Sequence, residues 1–199
     1  MPVKITLFSD YICPYCFVAA SRLERISREV PLKVECRGVQ IHPEISPEGE
    51  PMSDGLRSKL SFPEGSIQHF VTDEGLEFRV PTVVPNTRLA LEATEYATEQ
   101  GKLPRFHRAV FEAYWQQDRD IGKAEVLSEI AREVGLDATG LEQYLEKGTG
   151  KPRLQANVGE AATWQVVGMP TFVFAGRFLL EGVQAYEVLK RAALKASEQ

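Results

Sequence analysis

Along the first residues Val3, Ile5 and Leu7 alternate with Lys4 and Thr6, and Ser9-Asp10 closes the run; this pattern predicts a short buried strand over 3–8. From Pro14 the period changes. Ala19, Leu23, Ile26 and Val30 recur at i, i+4, i+7 and i+11, with Arg22, Glu24, Arg25 and Arg28 off the stripe, so a helix is predicted up to Pro31. Leu32, Val34 and Cys36 then alternate with Lys33, Glu35 and Arg37 as a second strand. A crossover of this length makes the two strands parallel neighbours with a right-handed connection.

Residues 42 to 86 are rich in Pro, Gly and Ser and predict connections with one or two short helices. Beyond them the chain is plainly helical. Leu89, Ala93, Tyr96 and Ala97 share a face before Gly101, and Pro104 opens a helix with Phe106, Val110, Phe111 and Tyr114 inward. Val126, Leu127, Ile130, Ala131 and Val134 form a third stripe before Gly135. Thr139 to Glu142 has the spacing of a capping box for a fourth helix ending near Gly148, and another helix is expected from Lys151 to Val166. Strand signal returns in 171–174 and 178–180 around an Ala175-Gly176 turn, an antiparallel hairpin, before a last helix with Val188, Leu189 and Ala192. The predicted class is α/β: a βαβ unit, an all-helical block and a ββα unit, the outer parts sharing one sheet.

Length and charge narrow the function. The 199 residues suffice for one core with a sizeable insertion, and 43% hydrophobic residues exclude a disordered chain. A formal net charge of −5 gives no reserve of clustered Lys and Arg for nucleic acid. No apolar window reaches the length of a membrane span and no secretory leader is visible, so a cytoplasmic protein is expected. The three cysteines, Cys13, Cys16 and Cys36, are too few and too odd for a secreted disulfide framework.

Their placement matters more. Cys13-Pro14-Tyr15-Cys16 lies where the first strand passes into the first helix. A helix N-terminus offers unpaired N–H groups and partial positive charge, so Cys13 is placed to be the low-pKa attacking sulfur, with Cys16 one turn on to close a disulfide. Pro14 suits the first helical turn because its missing N–H would be unpaired anyway. The competing reading is half a zinc site. It would need two more ligands, and only Cys36, His42, His69 and His107 remain, scattered along the chain, so no metal is expected. Cys36 faces inward with Leu32 and Val34 as a buried inert thiol, and the histidines read as surface or packing residues. Asp10 reads first as a solvated turn residue before the helix, with proton transfer to the dithiol as the alternative role.

These residues resemble the DsbA-like branch of the thioredoxin superfamily, and within it the FrnE-like thiol oxidoreductases, predicted dithiol-disulfide isomerases. The likeness runs nearly end to end: Phe8 to Cys16, Pro85-Asn86-Thr87, Asp120-Ile121-Gly122, Val134 to Asp137, Val167 to Phe172, and Glu181 to Gln184. The departure is Pro14-Tyr15, where that family often has Pro-Trp; a Pro-Tyr pair also occurs in glutaredoxins and bears on redox potential. The resemblance implies a thioredoxin fold over 1–45 and 160–199 with a helical insertion domain over 46–159. It implies Cys13 as surface nucleophile, Cys16 as resolving thiol, Pro14 and Tyr15 as tuning residues, and Met169-Pro170 as a cis-proline loop whose backbone binds an extended substrate. It also implies thiol or disulfide substrates, protein or small molecule, with no cofactor beyond the dithiol and glutathione as a candidate reductant.

Two other classes fit the same outline. Kappa-class glutathione transferases and 2-hydroxychromene-2-carboxylate isomerases resemble this architecture but usually carry serine at the position of Cys13. A binding protein or holdase would use the cleft between helical block and sheet and would survive loss of both cysteines.

Overall fold

The computed structural model describes residues 2–62 and 66–198. Strand β1 (Val3–Ser9) carries a nearly unbroken buried run, as a central strand covered on both faces must. Helix α1 (Pro14–Ser27) returns over it to β2 (Leu32–Gly38), which pairs parallel to β1 with Val3 opposite Leu32 and Leu7 opposite Cys36. The helix stops earlier than its stripe suggests, and Val30 is buried beyond it.

The insertion follows. It contains β3 (Glu50–Pro51), α2 (Asp54–Ser61), α3 (Ser66–Asp73), β4 (Val83–Val84), α4 (Arg88–Glu99), α5 (Leu103–Trp115), α6 (Ala124–Glu133), α7 (Ala138–Glu146) and α8 (Lys151–Thr163). It is therefore not all helical: β3 and β4 form a small antiparallel ladder, extended by the bond from Met52 N–H to the Thr82 carbonyl at 2.9 Å. The boundary expected at 159/160 lies inside α8. That helix ends at Thr163 rather than Val166 because Gln165 adopts a φ of 54° and turns the chain.

The capping box expected at Thr139 is not what starts α7. Asp137 is the N-cap, its carboxylate accepting the Gly140 N–H at 3.1 Å, and Glu142 instead pairs with Arg132 at 3.1 Å. The helix starts at Ala138, one residue before Thr139, so Asp137 is the flanking residue whose carboxylate meets the third helical N–H.

Strands β5 (Thr171–Phe174) and β6 (Phe178–Glu181) form the predicted hairpin, with positive φ at Ala175 and Gly176, and α9 (Tyr186–Ser197) closes the chain. The sheet order is β2-β1-β5-β6. One core, with Ile5, Leu23, Ile26, Phe172, Phe174 and Leu189, fills the space between the sheet, α1 and α9. A second, with Phe106, Val110, Phe111, Trp115, Leu127 and Leu141, fills the insertion, and it continues into Tyr11, Cys13, Cys16 and Phe17. The start of α1 thus belongs to the insertion's core while its later turns belong to the sheet's. Arg22, off the apolar stripe in sequence, is buried all the same: Glu74, just beyond α3, meets it at 3.1 Å, and Arg22 also donates to the Gln184 carbonyl.

Candidate active site

Strand β1 ends at Ser9 and delivers residues 10–13 to the start of α1. Cys13 is the N-cap, with extended backbone (φ −87°, ψ 112°); its carbonyl accepts from the N–H of Cys16 at 3.0 Å and of Phe17 at 3.3 Å. Its side chain therefore stands beside the open end of the helix, with Pro14 filling the first turn. Cys13 is 6% exposed and Cys16 fully buried, so the expected surface nucleophile is recessed. All three cysteines are free thiols.

The two neighbouring sulfurs are electrostatically unlike. A hydrogen bond from the Cys16 side chain is the main cause that lowers the Cys13 pKa, and the N–H groups of Cys16 and Tyr15 add to it against burial and the charge of Asp10. Burial above all, and then the same bond to Cys13, drive Cys16 well above an ordinary thiol. Of the pair, Cys13 is therefore the sulfur that ionises first and Cys16 the one that keeps its proton.

Across from Cys13 stands the loop into β5. Cys13 Sγ lies 3.7 Å from the Met169 carbonyl oxygen, and the Met169–Pro170 peptide is cis. This loop is tied at several points: Val167 N–H donates to Glu181 Oε1 at 3.2 Å, Thr171 Oγ1 to the Gly168 carbonyl at 2.7 Å, and Gly182 N–H to the Pro170 carbonyl at 2.7 Å. Tyr15 leans edge-on toward Phe70 of α3, with ring centroids 6.1 Å apart.

Asp10 is not solvated. It has no exposed surface; Oδ2 accepts the Ile41 N–H at 2.8 Å, while Oδ1 makes no bond of good geometry with a described residue. Burial raises its pKa to about 6, against the opposing pull of the Ile41 N–H, the Thr87 hydroxyl and the N–H groups of Ile12 and Tyr11. The turn reading fails because the segment after β2 and the start of α4 close over this carboxyl. Ile41 and Thr87 were missed as site residues. Thr87 belongs to the Pro85-Asn86-Thr87 motif, but nothing local shows that it faces residue 10. Asn86 of that motif braces loops, accepting from Gln40 Nε2 at 3.0 Å and donating to the Ile45 carbonyl.

The other candidates lie elsewhere. Cys36 Sγ is 3.6 Å from His107 Nε2, both buried; His42 pairs with Glu44 and His69 with Asp73 at the surface. Among the described residues, no group of three or more His, Cys, Asp or Glu is arranged to hold a metal ion.

A family model described as a DSBA-like thioredoxin domain matches residues 4–193. The chain belongs to the DsbA-like thioredoxin family. It is 32% identical over 195 residues to the uncharacterized protein YwbO of Bacillus subtilis strain 168, covering 96% of each chain. Among solved structures it is similar to the probable DsbA oxidoreductase SCO1869 of Streptomyces coelicolor, with a TM-score of 0.84, 23% identity and coverage of 99% of this chain and 91% of that one. It is also similar to a 2-hydroxychromene-2-carboxylate isomerase, with a TM-score of 0.80, 18% identity and coverage of 96% and 95%. Within the DsbA-like frame, the strand–helix junction of Cys13 to Cys16 and the cis loop of Met169-Pro170 occupy one locus of the fold.

Proposed function

We propose that the protein is a thiol–disulfide oxidoreductase that works through Cys13 and Cys16. The observation that carries this reading is the unlike pair at the start of α1, a lowered Cys13 thiol hydrogen-bonded by a raised and buried Cys16, facing the Met169 carbonyl at 3.7 Å. The Cys13 thiolate attacks one sulfur of a substrate disulfide, forming a mixed disulfide and releasing one substrate thiolate. Cys16 then gives up its proton and attacks Cys13 Sγ, which releases the second substrate thiolate and leaves a Cys13–Cys16 disulfide. Two electrons have passed from protein to substrate, and two thiols, for which glutathione is a candidate, return them. The reverse sequence oxidises a dithiol.

Asp10 supports the resolving step. With a pKa of about 6 it is mostly ionised at neutral pH, and its charge acts on both sulfurs, so it is suited to take the Cys16 proton. The Met169 backbone supplies an edge on which an extended substrate can add as a strand, and Pro14-Tyr15 sets the redox poise.

The test is insulin disulfide reduction coupled to dithiothreitol, with Cys13→Ser expected to be inactive and Cys16→Ser to accumulate mixed disulfides. Full activity in Cys13→Ser overturns the reading. The fold shared with 2-hydroxychromene-2-carboxylate isomerase favours a second reading, glutathione-dependent isomerisation of a chromene acid. Turnover of that acid with glutathione in a Cys16→Ser protein would establish it. A holdase role predicts that suppression of aggregation survives loss of both cysteines.

A further inference from the structure

The Pro85-Asn86-Thr87 stretch lies outside both the dithiol and the cis loop, yet two of its side chains serve the cover over Asp10. Asn86 works as a clamp. Its Oδ1 accepts from Gln40 Nε2 at 3.0 Å and from the Arg88 N–H at 3.1 Å, and its Nδ2 donates to the Ile45 carbonyl at 2.5 Å. These bonds tie the segment after β2, which brings the Ile41 N–H to Asp10 Oδ2 at 2.8 Å, to the start of α4, which brings Thr87. A Cβ on Gly122 would stand 3.2 Å from the Asn86 carbonyl oxygen, so this glycine lets the Asp120-Ile121-Gly122 turn back the clamp closely.

Thr87 departs from the usual work of its position. A threonine flanking a helix start ordinarily has extended backbone and turns its hydroxyl to the helix's own N–H groups. Thr87 has helical backbone instead, φ −80° and ψ −2°, and makes no cap bond; Asn86 takes the Arg88 N–H in its place. The hydroxyl is left for the carboxyl. Thr87 is 1% exposed and acts on Asp10 as a donor favouring the charged form. Asp10 Oδ1 is enclosed without a bond of good geometry, so a carboxylate oxygen is still open to a donor there.

We propose that Thr87, seated by Asn86, is a positioning residue of the disulfide exchange, its hydroxyl holding the Asp10 carboxylate in place to take the Cys16 proton. The proposal rests on the dithiol mechanism above. In the resolving step Cys16 Sγ passes its proton to Asp10, its electron pair forms the bond to Cys13 Sγ, and the bond from Cys13 to the substrate sulfur breaks to release a thiolate.

The titratable groups whose charge couples to this carboxyl are Cys13 and Cys16 of α1, the adjacent Tyr11 and Tyr114 of α5. Burial raises both tyrosines, so they stay neutral in the acid range, and His107 against the Tyr11 ring, lowered to about 4, is neutral above it. Cys13 has no proton to lose once it is in the mixed disulfide. Asp10 is then the group that titrates near pH 6 during resolution.

Reduced protein mixed with one equivalent of 4,4'-dithiodipyridine releases one thiopyridone when Cys13 attacks and a second when Cys16 resolves, and stopped-flow absorbance separates the two phases. The first phase, which needs no proton acceptor, is the internal reference. The second should fall on the acid side with a midpoint near pH 6. Thr87→Val, which keeps the shape and removes the hydroxyl, should move that midpoint up by about one pH unit and slow the second phase about fivefold at pH 6. Thr87→Ser should restore the wild-type midpoint. In an Asp10→Asn background the acid limb should vanish and Thr87→Val should add nothing. Thr87→Ala gives the same readout should the valine protein not fold. An unmoved midpoint without the hydroxyl, or an equal effect of its loss in Asp10→Asn, overturns the proposal. With the first phase present in the wild type and lost in Cys13→Ser, that result counts against Thr87 and leaves the dithiol reading standing.

Discussion

The indole N–H of Trp115 donates to the Tyr11 carbonyl at 2.8 Å, so the insertion holds the backbone two residues before Cys13. The same loop is gripped from α4, where the Tyr11 hydroxyl meets Thr94 Oγ1 at 2.5 Å. Trp115 is itself held by stacking on Phe78, with centroids 5.1 Å apart. Trp115→Phe keeps most of the apolar contact but orphans a buried carbonyl, and it should cost about 1–3 kcal/mol in urea unfolding. It should also lower the rate of Cys13 alkylation. A variant with wild-type unfolding midpoint would show that the bond does not brace the loop.

The dithiol makes a prediction about pH. Rates of iodoacetamide modification of Cys13, followed by mass spectrometry, should rise with a midpoint below that of an ordinary thiol. In Cys16→Ala the midpoint should move upward, because the hydrogen bond from Cys16 is the largest cause of the depression. An unmoved midpoint would assign the effect to the helix terminus instead.

Asp10 makes a stability prediction with a definite sign. Its folded-state pKa of about 6 exceeds its ordinary 3.8, so its protonated form is favoured in the fold. That contribution is fully present below the unfolded value and is lost as pH climbs through about 6. Asp10→Asn keeps an acceptor for the Ile41 N–H and removes the buried charge. Its stability advantage over the wild type should therefore grow between pH 4 and 7, to about 3 kcal/mol. Urea unfolding at several pH values measures it, and a pH-independent difference would contradict the burial argument. The same variant should slow the resolving step, seen as longer-lived mixed disulfides.

For α7, Asp137→Ala should lose about 1 kcal/mol, the ordinary value of an N-cap, while Thr139→Ala should be nearly neutral. Thermal unfolding of the two variants discriminates between them. The opposite ranking would restore the capping box.

Much of the fold was legible in the chain because it rests on local periods. The alternation of Val3, Ile5 and Leu7 and the helical spacing of Ala19, Leu23 and Ile26 each report a face that must be buried, and the junction between them locates Cys13 at a helix start. Gly148, with a φ of 62°, follows α7 as its position suggested. The hairpin around Ala175-Gly176 was equally local. The α7 N-cap at Asp137 and the early end of α8 at Thr163 were local misses, whereas the burial of Asp10 and Arg22 and the β3–β4 ladder were decided by contacts between segments distant in sequence.

Sequence alone determined the order of the β1-α1-β2 and β5-β6-α9 elements and the dithiol at a helix N-terminus, since these follow from residue type and spacing within a single turn or strand. Only the tertiary structure decided that Asp10 is buried, because the groups that cover it come from Ile41 and Thr87, 31 and 77 residues away. It likewise decided that Arg22 is inside, since its partner Glu74 arrives from beyond α3. Burial is a property of what folds over a side chain, and a linear pattern carries no record of a covering segment that comes from elsewhere.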